Sequence, residues 1–496
     1  MGEPVKKVAA YLAKLSDTEY AVPKPISGAI NYLLDSYFAK ADARALKNHV
    51  PSRWYPSDPH AHIKELWLGC ELHTAVTLNR QYPTFARNLN AYAFSRLFAG
   101  ESAQYEVVPF LDTYEFKEML KGHFSYRVQS EQLSIGLDEW VTLPVYGNFF
   151  VQHKGTGEKL YVSLDLCYES MGCVVTVMAA PGGQGAVEAF YADMQSSLLA
   201  NDIYYQKCMT FVRGRLDFCA VTLNTWDDII LKDEVKQQIR DNTVAILEHN
   251  ETLTSLGMCP NRNVILISPP GMAKTTIFRA VSTEVDGKMS RIWCTGKSIE
   301  RADDVTSLFQ AARSLAPCLI FIEDMDLFGG DRSFGGENRV LNEFLACLDG
   351  TQENAGVVVM ASTNDVASMD EALINRPGRF DEKVEIPLPD ETDRMKMLAS
   401  FFKKLHAMPD ASVTEQSWRT VIELTDGLTG AYLKDLAKST VVRAVAEGRA
   451  GDGAVTFTSD NLNGAAQKVM KNYSIGKKAR KHHHLEGQAD VVMKDG

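Results

Sequence analysis

The chain has 496 residues, of which 45% are hydrophobic and 23% are charged, and its net charge at pH 7 is −11. This length predicts about three domains, and the negative charge argues against general binding to nucleic acid or to anionic membranes. Nine cysteines without a C-x-x-C pair predict a reducing compartment rather than a disulfide framework. Because no run reaches the ~18–20 apolar residues of a membrane span and the first residues do not resemble a signal peptide, we expect a cytoplasmic protein without a membrane span.

The first 222 residues form two regions that differ in hydrophobic periodicity. Residues 1–124 have apolar positions at helical spacing, such as Leu68, Leu72 and Val76, which predicts a mainly helical region. Residues 125–222 contain short alternating and apolar segments, which predict an α+β module. Its predicted elements are a strand–turn–strand over 139–151, strands over 160–166 and 172–178, a helix near 185–201 and a strand near 207–213.

Residues 264–276 predict a phosphate-binding loop, because a buried strand is followed by Ser-Pro-Pro-Gly-Met-Ala-Lys-Thr-Thr. In the pattern G-x-x-x-x-G-K-[ST], backbone N–H groups surround the phosphates, the lysine neutralises them and the hydroxyl contacts Mg2+. Lys274 and Thr275 match, whereas Ser268 and Ala273 replace the two glycines. If Ala273 needs a positive φ, we expect a cost on the order of 1–2 kcal/mol and a roughly ten-fold weaker nucleotide affinity. Ser268 is a milder change, because its hydroxyl can satisfy a local N–H.

Acidic and polar residues follow two further buried strands. Residues 318–322 are apolar and end in Glu323 and Asp324. Acids at the carboxyl end of a strand beside a phosphate loop hold a metal ion and polarise water. The next apolar run ends just before Asn364, and Asn-Arg-Pro-Gly-Arg-Phe-Asp follows at 375–381. Four ordered elements at these spacings jointly predict a nucleotide-hydrolysing site.

Together these elements resemble the AAA ATPase family over roughly residues 223–470. The Arg-Pro-Gly-Arg-Phe-Asp segment followed by Ile-Pro-Leu-Pro-Asp is highly specific to that family, and Trp-Asp-Asp-Ile-Ile at 226–230 is similar to the segment that lies over the adenine. Thr-Gly-Ala-Tyr-Leu at 429–433 resembles the sensor-2 region at the start of a lid helix. The resemblance implies an α/β P-loop NTPase core with a parallel sheet of AAA type and a helical lid, preceded by the α+β N-terminal region. The implied core is 223–390, the lid is 391–475 with purely helical segments near 391–406, 414–425, 429–448 and 459–471, and a basic flexible tail covers 476–496.

The resemblance also implies roles for individual residues, with ATP and Mg2+ as the cofactors. Lys274 contacts the β- and γ-phosphates, Thr275 and the two acids contact Mg2+, and Asp324 orients the attacking water. The two arginines of Arg-Pro-Gly-Arg align with arginine fingers, which act on the nucleotide of the neighbouring subunit. The implied catalytic residues are Glu323, Asp324, Asn364, Arg376 and Arg379; the metal-binding residues are Thr275, Glu323 and Asp324. The implied nucleotide-binding residues are Asp228, Ile230, Pro270, Gly271, Met272, Ala273, Lys274, Thr275, Thr276, Gly430 and Ala431.

Two departures from the usual family pattern resemble features of the branch that includes the mitochondrial Rieske-protein translocase. The order Glu323-Asp324 reverses the usual Asp-Glu, as in that branch, and shortens the base by one methylene. Threading unfoldases carry an aromatic–hydrophobic–glycine loop after the second strand, whereas the stretch over 293–301 is several residues short and lacks the usual aromatic. We expect Trp293 to belong to the strand end and to face the core.

The preferred hypothesis is a ring of identical subunits, expected to be a hexamer, that couples ATP hydrolysis to remodelling or disassembly of a protein complex. In the family such front modules bind the client, so residues 1–222 are the predicted partner-binding part. One alternative is a threading unfoldase that uses the Phe-bearing segment Gly329–Gly336 as its pore loop. The other is a nucleotide-gated scaffold with little turnover, in which Ala273 and Asp324 have lowered catalysis. Nucleic acid is not an expected partner.

Overall fold

The computed structural model describes residues 59–100, 103–108, 128–166, 173–327, 339–349, 354–364, 378–451 and 453–492, with side chains up to 475 in the last range. The chain divides into two compact units, Met1–Ile203 and Tyr204–Gly496. Most of the predicted N-terminal helical pattern, together with Arg376 and the Gly329–Gly336 segment, lies outside the described residues. Among the helices in these ranges, none is long and apolar enough to cross a membrane.

The N-terminal unit is built on an antiparallel sheet with strand order β1-β6-β5-β4-β2, and β3 pairs with the first half of β4. Strand β4 is continuous, whereas the sequence predicts a strand, a turn and a strand over 139–151. Gly147 keeps the strand intact with a φ of 150°, at a position where a Cβ would lie 3.0 Å from Cα of Val128. The strands are β1 (Val76–Tyr82), β2 (Tyr105–Val107), β3 (Gln129–Ser134), β4 (Trp140–His153), β5 (Lys159–Asp165) and β6 (Cys173–Ala179).

The helical spacing of Leu68, Leu72 and Val76 does not correspond to one helix. Helix α1 (Pro59–Leu68) ends before Gly69, which has a φ of 71°, and Val76 opens β1. Glycine at positive φ is a common helix stop, and the seven-residue pairing of β1 with β6 then decides the conformation that follows. Short 3-10 turns occur at Leu72–Thr74, Thr84–Ala86, Trp226–Asp228, Gly296–Ser298 and Met325–Leu327.

Apolar residues on both faces of this sheet are buried. Helices α2 (Arg87–Arg96) and α3 (Gln184–Ala200) contribute to the larger core together with Phe149. Helix α1 contributes Trp67 to a second cluster with Phe150. Because successive strand residues point to opposite faces, the adjacent phenylalanines of β4 serve two different cores.

The C-terminal unit contains a seven-stranded sheet with the order β13-β9-β12-β11-β10-β7-β8. All neighbouring pairs are parallel except β7 and β8, which form an antiparallel hairpin. The α/β core with a parallel sheet that the sequence predicts is confirmed. The strands are β7 (Cys208–Val212), β8 (Arg215–Phe218), β9 (Arg262–Ile267), β10 (Ser290–Thr295), β11 (Cys318–Glu323), β12 (Val357–Thr363) and β13 (Glu382–Glu385).

The hairpin of β7 and β8 moves the start of this unit. The sequence places a strand over 207–213 in the N-terminal module and begins the core at 223, whereas β7 pairs with β10 and the unit begins at Tyr204. Arg213 and Gly214 form a two-residue turn with φ values of 49° and 77°, as a tight hairpin requires. Periodicity indicates that a strand forms but not which neighbour it pairs with, and that accounts for the difference.

Helices cover the sheet and form the lid. The core helices are α4 (Asp233–Asp241), α5 (Val244–Glu248), α6 (Asn250–Ser255), α7 (Lys274–Glu284), α8 (Ala302–Ser314) and α9 (Arg339–Asp349). The lid helices, which match the predicted segments, are α10 (Glu391–Lys404), α11 (Glu415–Leu424), α12 (Gly430–Ala446) and α13 (Ser459–Val492).

The lid differs from the sequence prediction in two respects. It is not purely helical, because short segments between the helices pair into a sheet of order β14-β16-β15. Segments of two to four residues are too short to show periodicity. Helix α13 also continues to Val492 where the sequence predicts a flexible tail from 476; this stretch has no proline and several good helix formers. The strands are β14 (Ala407–Pro409), β15 (Ala450–Gly451) and β16 (Ala454–Phe457).

Candidate functional site

The predicted site residues meet at the carboxyl ends of three adjacent parallel strands. Strand β9 ends at Ile267 before the phosphate-loop sequence, β11 ends at Glu323, and β12 ends at Thr363 before Asn364. Thr363 is paired with Ile267 in the sheet register. In open α/β sheets the carboxyl ends of neighbouring strands form the ligand-binding crevice. The fold therefore brings the loop, the acids and the polar sensor to one edge.

Four oxygen atoms surround the ammonium group of Lys274. Its Nζ donates to Ser268 O at 2.8 Å, Ser268 Oγ at 3.0 Å, Pro269 O at 3.4 Å and Asn364 Oδ1 at 2.8 Å. Burial lowers the pKa of Lys274, and the carboxylates of Asp324 and Asp326 act in the opposite direction. The Ser268 hydroxyl is thus an acceptor for Lys274 and a donor to Pro269 O, rather than an acceptor for a local N–H as the sequence predicts.

Ala273 adopts the left-handed conformation, with φ 63° and ψ 23°, immediately before α7. This is the second glycine position of the phosphate-loop pattern, and Ala273 has the positive φ there on which the expected loss of nucleotide affinity depends. A residue with a Cβ pays roughly 1–2 kcal/mol in this conformation because Cβ approaches its own carbonyl oxygen. The loop therefore keeps its glycine-type geometry at the expense of local strain.

We expect Ala273→Gly to raise the free energy of unfolding by at most about 1 kcal/mol, because relief of strain exceeds the entropy lost by a more flexible chain. Urea unfolding would measure this change, and nucleotide titration would show a higher affinity if the methyl crowds the phosphates. The matched control is Ala280→Gly in the middle of α7, where the buried alanine has no positive φ. That variant should be less stable. A loss of stability in Ala273→Gly would contradict the strain at this position.

Gly271 joins the phosphate loop to the lid. Its φ is 86°, and its carbonyl accepts a hydrogen bond from Ala431 N at 3.0 Å. A Cβ at this position would lie 2.6 Å from Cβ of Ala431 and 2.9 Å from Oγ1 of Thr429. The closeness of loop and lid therefore depends on glycine at position 271.

Gly271→Ala should weaken nucleotide affinity by about ten-fold or more, because the added methyl overlaps Ala431 and must push the lid from the loop. Isothermal titration with ATP in the presence of Mg2+ would measure the effect. Gly287→Ala is a matched control, since Gly287 also has a positive φ of 70° but an added Cβ there meets no atom within 4 Å. Equal affinity losses in the two variants would show that strain, not contact with the lid, is responsible.

Glu323 and Thr275 form a place that fits a divalent cation. Glu323 Oε1 is buried and has no hydrogen-bond partner among the described residues. Burial raises the pKa of Glu323, while a hydrogen bond with Thr275 acts against that rise. A buried carboxylate oxygen without a donor, beside a hydroxyl, is suited to a hard cation such as Mg2+. The described residues contain no cluster of three or more acids, cysteines or histidines that would hold a metal alone, so phosphate oxygens would have to complete the coordination.

Asp324 is held by the polar sensor. Asn364 Nδ2 donates to Asp324 Oδ1 at 3.1 Å. The oxygen of the same side-chain amide, Asn364 Oδ1, accepts a hydrogen bond from Lys274 Nζ. Asp324 has a φ of 51°, a conformation that aspartate tolerates better than most residues. The hydrogen bonds link the predicted base, sensor and lysine in one network.

Asp326 belongs to this network although the sequence analysis did not identify it. Its Oδ1 accepts hydrogen bonds from Thr363 Oγ1 and from Asn364 N, both at 3.3 Å. It thereby fixes the end of β12 that carries the sensor. The sequence feature that could have identified Asp326 is its position two residues after Asp324. A 3-10 turn over Met325–Leu327 brings the chain back to the same edge of the sheet.

A cavity of about 460 Å3 opens between the loop, the segment before α4 and the lid. This size suits a small-molecule ligand. The cavity is also lined by cationic residues that the sequence did not predict, namely Lys232, Arg279, Lys404, Lys434 and Lys438. Of the predicted nucleotide-binding residues, Asp228, Ile230, Gly271, Met272, Ala273, Thr276, Gly430 and Ala431 line it, whereas Pro270, Lys274 and Thr275 do not.

Asp228 fastens one wall of the cavity. Its carboxylate accepts from the backbone N–H of Thr225 at 3.0 Å, and it lies 3.4 Å from Nζ of Lys404 in lid helix α10. The Thr225 hydrogen bond, with smaller help from Lys404, lowers the pKa of Asp228. In this arrangement Asp228 positions the wall and connects it to the lid.

Arg379 is buried within its own subunit. Its Nε and Nη2 donate to the two carboxylate oxygens of Asp349, both at 2.8 Å, and only 4% of the residue is exposed. This two-pronged pair fastens the segment after the sensor strand to α9. The other predicted arginine finger, Arg376, lies outside the described residues.

Comparison with known proteins identifies the core. Residues 264–388 match the family model "ATPase family associated with various cellular activities (AAA)". The chain is 34% identical over 257 residues to the ATP-dependent zinc metalloprotease YME1L of Drosophila melanogaster, covering 50% of this chain and 33% of the relative. It is 33% identical over 258 residues to the proteasome-activating nucleotidase of Thermococcus kodakarensis, covering 50% and 62%. For the ATP-dependent zinc metalloprotease FtsH of Methylococcus capsulatus, the identity is 32% over 282 residues, covering 54% and 43%.

The similarity is confined to part of each protein. The chain spans less than two thirds of the length of these relatives. The matched part contains the strand–loop–helix, both acids and Asn364. Residues 264–388 are therefore an AAA-type ATPase domain, a kind of domain that binds ATP with Mg2+.

Proposed function

We propose that this protein forms a homo-oligomeric ring that hydrolyses ATP and uses the energy to remodel or disassemble a protein complex. The observation that supports hydrolysis most directly is the hydrogen-bonded network of Lys274, Asn364 and Asp324 at the carboxyl edge of the parallel sheet. It joins a phosphate-neutralising cation, a polar sensor and a carboxylate, which are the groups that phosphoryl transfer to water requires.

The side chains of this network divide the work. Asp324 orients the attacking water and accepts its proton, while Asn364 holds the Asp324 carboxylate in place. Lys274 neutralises charge that builds on the transferring phosphoryl group. Thr275 and Glu323 would hold Mg2+, which would supply positive charge to offset that of the phosphates when bound.

The arginine-finger segment supports the proposal of a ring. Arg376 of one subunit would reach the nucleotide of its neighbour, so that each site needs groups from two chains. We expect six subunits per ring. Nucleotide-dependent movement of the lid against the core would then be passed around the ring.

The structure favours remodelling over threading, because the segment after β10 is fastened. Arg213, at the tip of the β7–β8 hairpin, donates its backbone N–H to Ser298 O at 3.3 Å and pairs with Glu300 at 2.8 Å. Trp293 lies within β10 and packs against Phe278 and Phe321, so it is not available to grip a client. A pore loop of the threading type needs an exposed aromatic at this place.

A threading unfoldase remains the second candidate, favoured by relatives whose names describe a proteasome activator and ATP-dependent proteases. It would use the Gly329–Gly336 segment. ATP-dependent loss of structure in a bound client would support it. The third candidate, a nucleotide-binding scaffold, is supported by the strained Ala273. Measurements of ATP turnover distinguish the scaffold from the remodelling ATPase and from the unfoldase.

Residues 1–222 are proposed to bind the client. The β3–β4 hairpin supports this assignment, because Trp140 is 62% exposed and Leu137 is 50% exposed. Exposed aromatic and aliphatic side chains close together are typical of protein-binding surfaces.

The decisive experiment is subunit complementation measured by steady-state ATP turnover. Lys274→Met and Arg376→Ala would each be inactive alone, yet a mixture should recover activity, because some interfaces combine an intact Lys274 with an intact Arg376. The unmutated protein should also turn over faster per subunit as its concentration rises. Turnover that is independent of concentration, with no recovery on mixing, would exclude the ring. ATP binding without turnover in the unmutated protein would favour the scaffold.

A further inference from the structure

Two cysteines face each other across the β7–β8 hairpin. Cys208 opens β7, Cys219 follows β8 directly, and the backbone N–H of Cys219 donates to Cys208 O at 3.1 Å. Their Sγ atoms lie 3.5 Å apart and both residues are partly exposed. Cα atoms of such a hydrogen-bonded antiparallel pair stand about 5.5 Å apart, which is within the range found for disulfide-linked residues. The sulfur atoms therefore need to approach by only about 1.5 Å to form a bond.

Two buried donors that lack acceptors lie beside Cys208. Arg291 is paired with Cys208 in the sheet register, is 5% exposed, and has an Nε without a hydrogen-bond partner in the described ranges. The rest of its guanidinium is fixed by Ser282 O at 2.9 Å and by Asp286. The indole N–H of Trp293, on the same face of β10, is buried and also without a partner there. A thiolate at Cys208 would give these donors an acceptor.

The electrostatic surroundings divide the pair into two different thiols. A hydrogen bond from Cys219, the charge of Arg291 and the indole of Trp293 lower the pKa of Cys208, although burial opposes them. The same Sγ–Sγ contact and burial raise the pKa of Cys219. Elsewhere, burial raises the pKa of Cys294 and Cys318. A partly exposed thiol with a lowered pKa next to a thiol with a raised pKa is the arrangement of a redox-sensing pair.

We propose that Cys208 and Cys219 are a redox-modification site at which a hydroperoxide converts the dithiol into an intramolecular disulfide. The Cys208 thiolate attacks one peroxide oxygen, the O–O bond breaks, and hydroxide leaves as Cys208 becomes a sulfenic acid. The Cys219 sulfur then attacks the Cys208 sulfur, the S–O bond breaks, and the hydroxyl leaves as water with the Cys219 proton. Two electrons pass from the sulfur pair to the peroxide.

The test is treatment of the full chain with hydrogen peroxide, followed by thiol blocking and peptide mass mapping. The expected product is a Cys208–Cys219 cross-linked peptide. Cys219→Ser should stop at a Cys208 sulfenic acid that dimedone traps, and Cys208→Ser should give neither product. Oxidation at Cys208 should be about ten-fold faster than at the exposed Cys259, and Cys259→Ser should leave the disulfide yield unchanged.

A second variant separates local activation from mere proximity. Trp293→Phe keeps an aromatic ring in the contact with Phe321 but removes the indole N–H, so oxidation of Cys208 should slow. Unchanged oxidation in that variant, a Cys208 rate equal to that of Cys259, or trapping of the sulfenic acid at Cys219 would each overturn the proposal.

Discussion

Replacing Lys274 with methionine is expected to lower steady-state ATP turnover by roughly 100-fold or more while leaving the protein folded. Removing one preorganised group that stabilises transition-state charge typically costs on this order. Lys274 is the cation that the loop holds at the strand ends, buried between Ser268 and Asn364. Methionine keeps an unbranched chain of similar length, so the core of the loop remains filled.

The control for this prediction is Lys288→Met, because Lys288 pairs with Glu248 at an exposed surface position. Such pairs contribute little to stability, and turnover should be unchanged. Urea unfolding of both variants shows whether Lys274→Met acts on catalysis or on the fold. A Lys274→Met variant that is folded and retains more than ~10% of the turnover would contradict the role given to Lys274.

The effect also depends on what Lys274 touches. Its removal leaves Asn364 Oδ1 without this donor, and Asn364 in turn holds Asp324. We therefore expect Asn364→Ala to reduce turnover less than Lys274→Met, because it loosens the carboxylate without removing the cation. Which of the two variants loses more turnover distinguishes direct charge stabilisation by Lys274 from positioning of Asp324 by Asn364.

Much of the site could be predicted because it depends on motifs in fixed order. A buried strand followed by a loop and a helix defines the place of Lys274, and parallel pairing brings Glu323 and Asn364 to the same edge. The positive φ on which the expected cost at Ala273 depends is also found. These features follow from backbone geometry that short sequence patterns determine.

Other features depend on which segments meet, and the local pattern carries no such information. The Ser268 hydroxyl accepts from Lys274 because the loop folds back onto its own lysine. Asp326 binds the end of β12 across the sheet edge. The four-residue spacing of Val76 from Leu72 predicts a helix, whereas pairing of Val76 with Ala179 makes it a strand residue. Tertiary contacts override local propensity at each of these positions.

Arg379 is the residue at which motif and geometry point in different directions. Alignment with an arginine finger implies an exposed guanidinium that reaches a neighbouring subunit, whereas the side chain is buried and bound to Asp349. Releasing it would leave the Asp349 carboxylate without this charge partner. The geometry therefore gives Arg379 a positioning role, and Arg376 is then the arginine that the family pattern implies for contact with the nucleotide.

We expect Arg379→Ala to lower the free energy of unfolding by about 2 kcal/mol. Breaking a fully buried ion pair costs ~3–5 kcal/mol, and the value is reduced here because Asp349 is 39% exposed. Asp349→Ala should lose a similar amount, and the double variant should lose less than the sum, since the two residues stabilise the fold through the same contact. Urea unfolding of the three variants measures the coupling. Additive losses would show that the pair contributes nothing of its own.

Turnover then separates positioning from direct catalysis. If Arg379 acts through Asp349 on the segment that carries Arg376, then Arg379→Ala and Asp349→Ala reduce turnover by similar factors, and mixing either variant with Lys274→Met restores activity, because the neighbour then supplies an intact segment. If Arg379 is itself a finger, Asp349→Ala retains turnover whereas Arg379→Ala loses it. We expect the first result. Because a buried guanidinium must leave its carboxylate to act in trans, the cost of that release would add to the barrier of every turnover, which favours a positioning role for Arg379.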